Sequence, residues 1–154
     1  MTGILERLSR VVESHVPAQV LDAASKTIAA EVSAESCSIF LMEPGSAGIH
    51  LRSGFGHLAQ SETLKTAARA VASEALEKMR PTRADAPPHS LLAVPMVLRG
   101  RPLGAIVAQA PAHPFSADQE RTLGVIAAHM VGVVESARFI ETVDNQVRRK
   151  NTSA

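Results

Sequence analysis

Residues Ser90 to Ile140 read SLLAVPMVLRGRPLGAIVAQAPAHPFSADQERTLGVIAAHMVGVVESARFI. Two apolar runs flank Arg99-Gly100, and a two-residue loop with glycine in second place is a hairpin signal. Strands are therefore expected over 91–98 and 101–110. A Pro-rich connection then opens into a long stretch of helical periodicity. Ser116 with Gln119 three residues on has the pattern of a capping box. Asp118 and Glu120 suit the positive end of the helix dipole. Leu123, Ile126, Met130, Val133, Ala137 and Ile140 alternate steps of three and four, which keeps one seam facing a partner. A hairpin feeding a long helix excludes an all-helical chain. It is a framework for sensing or dimerising rather than a catalytic motif.

The preceding segments extend this mixed pattern. Ile4, Leu5, Leu8, Val11 and Val12 recur at helical spacing, and Val16-Pro17 ends that helix. A second helix is expected to about Ser33, with Val20, Leu21, Ala24 and Ile28 as its stripe. SCSIFLM (36–42) is short and apolar, as for a strand buried on both faces. Glu43-Pro44-Gly45-Ser46 is turn chemistry, and residues 48–54 alternate Ile49 and Leu51 with His50 and Arg52. Ser61 to Met79 is helical again, closed by Pro81. Residues 81–89 form a Pro-rich connection with room for a brief edge strand at most. The seam fails at Asp144, so 1–142 is expected as one domain and 143–154 as a polar, frayed tail.

Composition narrows the function classes. The chain has 154 residues, no Trp, no Tyr and four Phe, so its core must be aliphatic. A formal charge of +1 lacks the concentrated basic face that a nucleic-acid footprint needs. No segment approaches the ~20 apolar residues that cross a bilayer, and the charged window from Ile4 to His15 is no signal peptide. The expected partners therefore include neither nucleic acid nor membrane. The lone Cys37 excludes an internal disulfide and a two-cysteine redox cycle, and a reducing cytoplasm suits it. Inside an apolar strand it reads as a small hydrophobe. The six histidines show no HxH or HxxxH spacing. A metal site from His50, His57 and His89 would have to assemble in three dimensions, and no metal or cofactor is expected.

The words AESCSIFLME, SLLAVPMVLRGRPLGAIVAQ and FSADQERTLGVIAAHMVGVVESA, in this order, resemble the GAF domain family. The resemblance covers about residues 4–142. It is similar in particular to the N-terminal sensory GAF domains of nitrogen-related phosphoenolpyruvate-protein phosphotransferases. It implies an α+β fold: an antiparallel sheet of five or six strands, with N- and C-terminal helices on one face and a short cap on the other. Relatives bind cyclic nucleotides, haem, bilins or small metabolites on the capped face, and many dimerise through the terminal helices. The interval from Pro81 to His89 is short for a cap, which implies a reduced or absent pocket. The Asn-Lys…Phe…Asp-Glu signature of cyclic-nucleotide binders is missing, as is a bilin cysteine beside a cap histidine. Free-methionine-sulfoxide reductases of this fold need several cysteines.

The resulting expectation is a non-enzymatic regulatory or sensory signalling module that acts as a homodimer, with a downstream signalling domain or protein as its partner. Leu5, Leu8, Val12, Met130, Val133, Ala137 and Ile140 are the candidate interface. The alternative is a sensor with a compact pocket for a small-molecule effector. Arg52, His57, Arg83 and His89 are its candidate anion-facing groups, unless they are solvated loop charges. Phe40, Phe55 and Val94, with Leu92 and Met96, are its candidate floor, unless they are simply core.

Overall fold

The computed structural model describes residues 16–42, 48–56, 61–86, 89–111 and 114–152. Its elements run α1 (Val16–Glu31), β1 (Ser36–Met42), β2 (Ile49–Phe55), α2 (Glu62–Lys78), β3 (Thr82–Ala86), β4 (His89–Leu98), β5 (Arg101–Pro111) and α3 (Ala117–Thr152). The five strands form one sheet in the order β2-β1-β5-β4-β3, and every neighbouring pair is antiparallel. The expected α+β architecture is present with five strands. The brief edge strand is β3. The segment holding Leu5, Leu8 and Val12 lies outside the described residues.

Local chemistry sets the boundaries. Arg99 and Gly100 both adopt positive φ, 52° and 77°, the pair of conformations that a type I′ hairpin turn demands. Ser61 caps α2 by accepting from the Leu64 N–H at 3.3 Å. The capping box of α3 forms as expected: the Gln119 N–H donates to Ser116 Oγ at 3.1 Å, and the Ser116 N–H donates to Gln119 Oε1 at 2.7 Å. Gln119 also donates its amide hydrogen to the Val32 carbonyl at 2.8 Å, so the start of α3 is fastened to the end of α1. The helix continues to Thr152, past the point near residue 142 where the polar composition suggested fraying. Among the described residues no helix is long and apolar enough to cross a membrane.

Two apolar layers sandwich the sheet. α1 lies over β1 and β2, and α3 lies over β4. Leu21 and Ile28 from α1, with Val32 just after it, meet Leu123, Ala127, Met130 and Val134 from α3 over Ile39, Leu92, Val94, Met96 and Ile106. Val20, expected in the α1 stripe, is instead 38 % exposed. α2 covers the opposite face over β3, β4 and β5, using Leu64, Ala68, Val71, Ala72 and Ala75. Alanines on its inner side let that helix sit close to the sheet.

One close approach is inside the sheet itself. Leu41 of β1 pairs with Gly104 of β5. A Cβ on Gly104 would lie 2.1 Å from the Phe40 carbonyl oxygen, which explains the glycine of the Leu103-Gly104-Ala105-Ile106 run.

Candidate functional site

The α2 face carries polar groups at one end of an otherwise aliphatic surface. Ser36, Ser38 and Gln109 are fully buried. Ser36 and Gln109 are opposite each other in the β1–β5 register, and Ser36 Oγ donates to Gln109 Oε1 at 2.5 Å. With that oxygen occupied, the Gln109 amide nitrogen donates to His89 Nδ1 at 2.7 Å. In neutral His89 the ring hydrogen is then on Nε2. Ser38 lies two residues along β1 from Ser36, hence on the same face, between Gly54 and Val107. Its hydroxyl has no hydrogen-bond partner among the described residues. A buried hydroxyl left unpaired costs roughly 1–3 kcal/mol.

Of the seven residues expected to line a ligand site, the six that are described do not share one face of the sheet. Phe40 is buried on the α2 face, with the Arg69 guanidinium 5.7 Å above its ring. Arg69 also donates to the Ile49 carbonyl at 2.7 Å. His89 belongs to the polar row. Val94, with Leu92 and Met96, packs on the terminal-helix face instead. Phe55 pairs with Cys37 of that same layer, so it too is turned away from α2. Arg52 is the extra residue at a bulge, because Ile39 pairs with Ser53 and Phe40 with Leu51. His57 lies outside the described residues.

Arg83 lies on the opposite face from His89 and Phe40. It pairs with Leu92 across β3–β4, on the terminal-helix side. Its Nε donates to Glu120 at 3.1 Å, and its other nitrogens donate to the Phe115 and Ser116 carbonyls. It thus clamps edge strand β3 to the start of α3. Arg83→Ala is expected to lower stability by about 1 kcal/mol, because part-exposed charged hydrogen bonds are worth little more. The midpoint of urea unfolding checks this. A shallow open cleft of about 400 Å³ lies beside this clamp, lined by Glu74, Lys78, Arg80, Thr82, Arg83 and Glu120. Its two acids already pair with Lys78 and Arg83.

The described part of the expected seam, Leu123, Ile126, Met130 and Val133, packs on the subunit's own sheet. Met130 is 5 % exposed, and Val133 packs against the same layer. The side chains of Ala137 and Ile140 lie outside those described. Ser53 adds a polar tie on this side, donating to Asp22 Oδ1 at 2.7 Å with Ser25 Oγ 2.8 Å away.

Sequence reasoning missed Ser36, Ser38, Gln109 and Arg69. A detectable signal was Gln109, the one long polar side chain inside the apolar run 103–110. Cys37 is fully buried, and burial pushes its thiol up from 9.0 to about 12. The folded thiol therefore keeps its proton where the unfolded one loses it. Stability is expected to fall by about 1.4 kcal/mol per pH unit as pH rises from 9 towards 12, read by denaturant titration against a Cys37→Ala control that lacks this slope.

Comparison with known proteins places this geometry. A family model described as the GAF domain matches residues 16–136. No curated relative matches the chain. Among solved structures, the GAF domain of an Acinetobacter phosphoenolpyruvate-protein phosphotransferase is similar at a TM-score of 0.62 and 18 % identity, covering 90 % of this chain and 96 % of that one. The GAF domain of a putative sensor histidine kinase from Pseudomonas syringae pv. tomato is similar at 0.63 and 15 % identity, covering 92 % and 96 %. A type II free methionine-R-sulfoxide reductase from Thermoplasma acidophilum is similar at 0.58 and 20 % identity, covering 84 % and 96 %. At these identities the structures attest the fold alone. The family model spans most of the sequence, and the sheet with helices on both faces agrees with it: the chain belongs to the GAF domain family.

Proposed function

We propose that this chain is a regulatory module that self-associates through its terminal helices and passes a signal to a downstream domain or protein. The observation that carries the reading is α3. It continues from Val134, the last of its buried residues described, to Thr152, a further length of roughly 27 Å at 1.5 Å per residue. A helix held at its start by Arg83 and Gln119 and prolonged in this way is suited to relay a change in the sheet. Cys37 supports a non-catalytic role, since a thiol buried and held protonated is a poor nucleophile. Light scattering over a dilution series tests the reading: a dimer that dissociates on dilution is expected, and a monomer throughout would refute it.

A second reading, a sensor for a small effector, is favoured by the unpartnered Ser38 hydroxyl beside Ser36, Gln109 and His89. A ligand at 100 times its dissociation constant should stabilise the protein by about 2.7 kcal/mol. A thermal-shift screen of small polar metabolites against wild type and Ser38→Ala tests it. A hit that Ser38→Ala weakens supports the site, and hits indifferent to that change count against it.

A further inference from the structure

The sheet ends in two edges, and they are built differently. An edge strand presents a row of unpaired backbone N–H and C=O groups. At β2 the ladder is broken by the bulge at Arg52, a device that turns an edge away from further pairing. At β3 the ladder is regular. Thr82 to Ala86 pair with Ala93 to His89 without a shift, and β4 is the strand neighbour of β3 on one side only. Pro81 precedes β3, and Pro87-Pro88 follow it. Proline has no N–H to offer a ladder, so a strand added here engages chiefly the residues of β3 itself.

The charges along that edge are complementary to their own reversed copy. β3 reads Thr82-Arg83-Ala84-Asp85-Ala86. Arg83 and Asp85 are two apart, hence on one face, the terminal-helix side, while Ala84 packs on the α2 side. Antiparallel pairing that uses the whole of β3 centres on Ala84. It sets Arg83 directly opposite the partner subunit's Asp85, and the two-fold axis repeats the pair. Parallel strands in register would set Arg83 against the partner subunit's Arg83, and like charges directly opposite destabilise a sheet. Both groups can take a further partner. Asp85 is exposed and makes no hydrogen bond or ion pair among the described residues. A guanidinium carries five N–H donors. Arg83 spends one from each nitrogen on Glu120, Phe115 and Ser116, the last at a long 3.5 Å.

We infer that a second copy of this chain adds its β3 antiparallel to β3, joining the two sheets edge to edge across Ala84. The surface is self-complementary, as a two-fold interface must be. It is separate from the terminal-helix association proposed above and does not depend on it. The ladder is short, so the contact is weak and is best read by trapping it.

Disulfide trapping on the full chain tests it. Ala84 meets the partner subunit's Ala84 on the axis. Opposed Cα atoms of an antiparallel pair lie roughly 4.5–5.5 Å apart, inside the usual disulfide range of about 4.4–6.8 Å. Under mild oxidation Ala84→Cys should give a covalent dimer on a non-reducing gel. The wild type should give none, because Cys37 is fully buried. Adding Asp85→Arg opposes arginine to arginine twice and should cut the covalent dimer roughly tenfold or more. Asp85 is exposed, so that change should leave the unfolding midpoint of the chain unmoved. A folded Ala84→Cys protein that gives no covalent dimer would overturn the contact. A yield unmoved by Asp85→Arg would overturn the antiparallel register, since parallel strands face like charges before and after the change. A wild type that sediments as a monomer while Ala84→Cys is trapped in this pattern would refute the terminal-helix reading and uphold this one.

Discussion

Gly104→Ala is expected to cost about 3 kcal/mol of folding stability. The added methyl would lie 2.1 Å from the Phe40 carbonyl oxygen and 3.0 Å from Leu41 Cα. Both neighbours are backbone atoms of β1, a central strand paired on both sides, so no rotamer change relieves the clash. Relief requires β1 and β5 to separate where their ladder and both apolar layers meet. Forcing extra volume into a packed interior typically costs 1–3 kcal/mol, and backbone-to-backbone contact belongs at the upper end. Against a usual stability of about 5–15 kcal/mol, the expected result is a soluble but far less stable protein. Urea unfolding followed by circular dichroism reads the effect. A loss below about 0.5 kcal/mol would show that the two strands are not this close.

Met130→Glu is expected to destabilise the subunit itself, by about 4 kcal/mol. The Met130 side chain sits among Leu123, Ala127 and Val134 on the terminal-helix face and is 5 % exposed. Replacing it by glutamate removes apolar packing and buries a carboxylate among apolar side chains. A buried charge without a partner costs roughly 3–5 kcal/mol. The outcome separates two uses of the same stripe. Were Met130 a dimer contact alone, the variant would be a folded monomer with an unchanged unfolding midpoint at low concentration. Here the midpoint itself should fall, because the stripe is part of the core. Val134→Asp should behave alike, whereas Val125→Asp, at a 67 % exposed position, should leave the midpoint nearly unchanged.

These contrasts show what the amino-acid pattern could and could not convey. Ser36–Met42 was readable as a strand because its apolar run is short and bounded by turn residues. Arg99-Gly100 and Ser116-x-x-Gln119 were readable because turn and cap chemistry is local. The face on which a residue lies was harder. Leu91, Leu92, Ala93 and Val94 are all apolar, so alternation carries no marker of side, and Val94 could be read as pocket floor or as core. Only the pairing with β5, and the helices above each face, separates them. The α3 stripe posed the same difficulty. Steps of three and four look identical whether the helix rests on its own sheet or on another helix. Arg83 sat in a segment that reads as a loop, and its partners Phe115, Ser116 and Glu120 are more than thirty residues away. The polar row depends on three strands meeting, so Ser36, Ser38 and Gln109 are neighbours only once the sheet exists.

The central proposal is that this GAF domain self-associates through its terminal helices. Sedimentation equilibrium of the wild-type chain over a hundredfold dilution tests this most directly. The account predicts a mass approaching twice 16.3 kDa at the concentrated end and a reversible fall on dilution. A mass of 16.3 kDa at every concentration would contradict it.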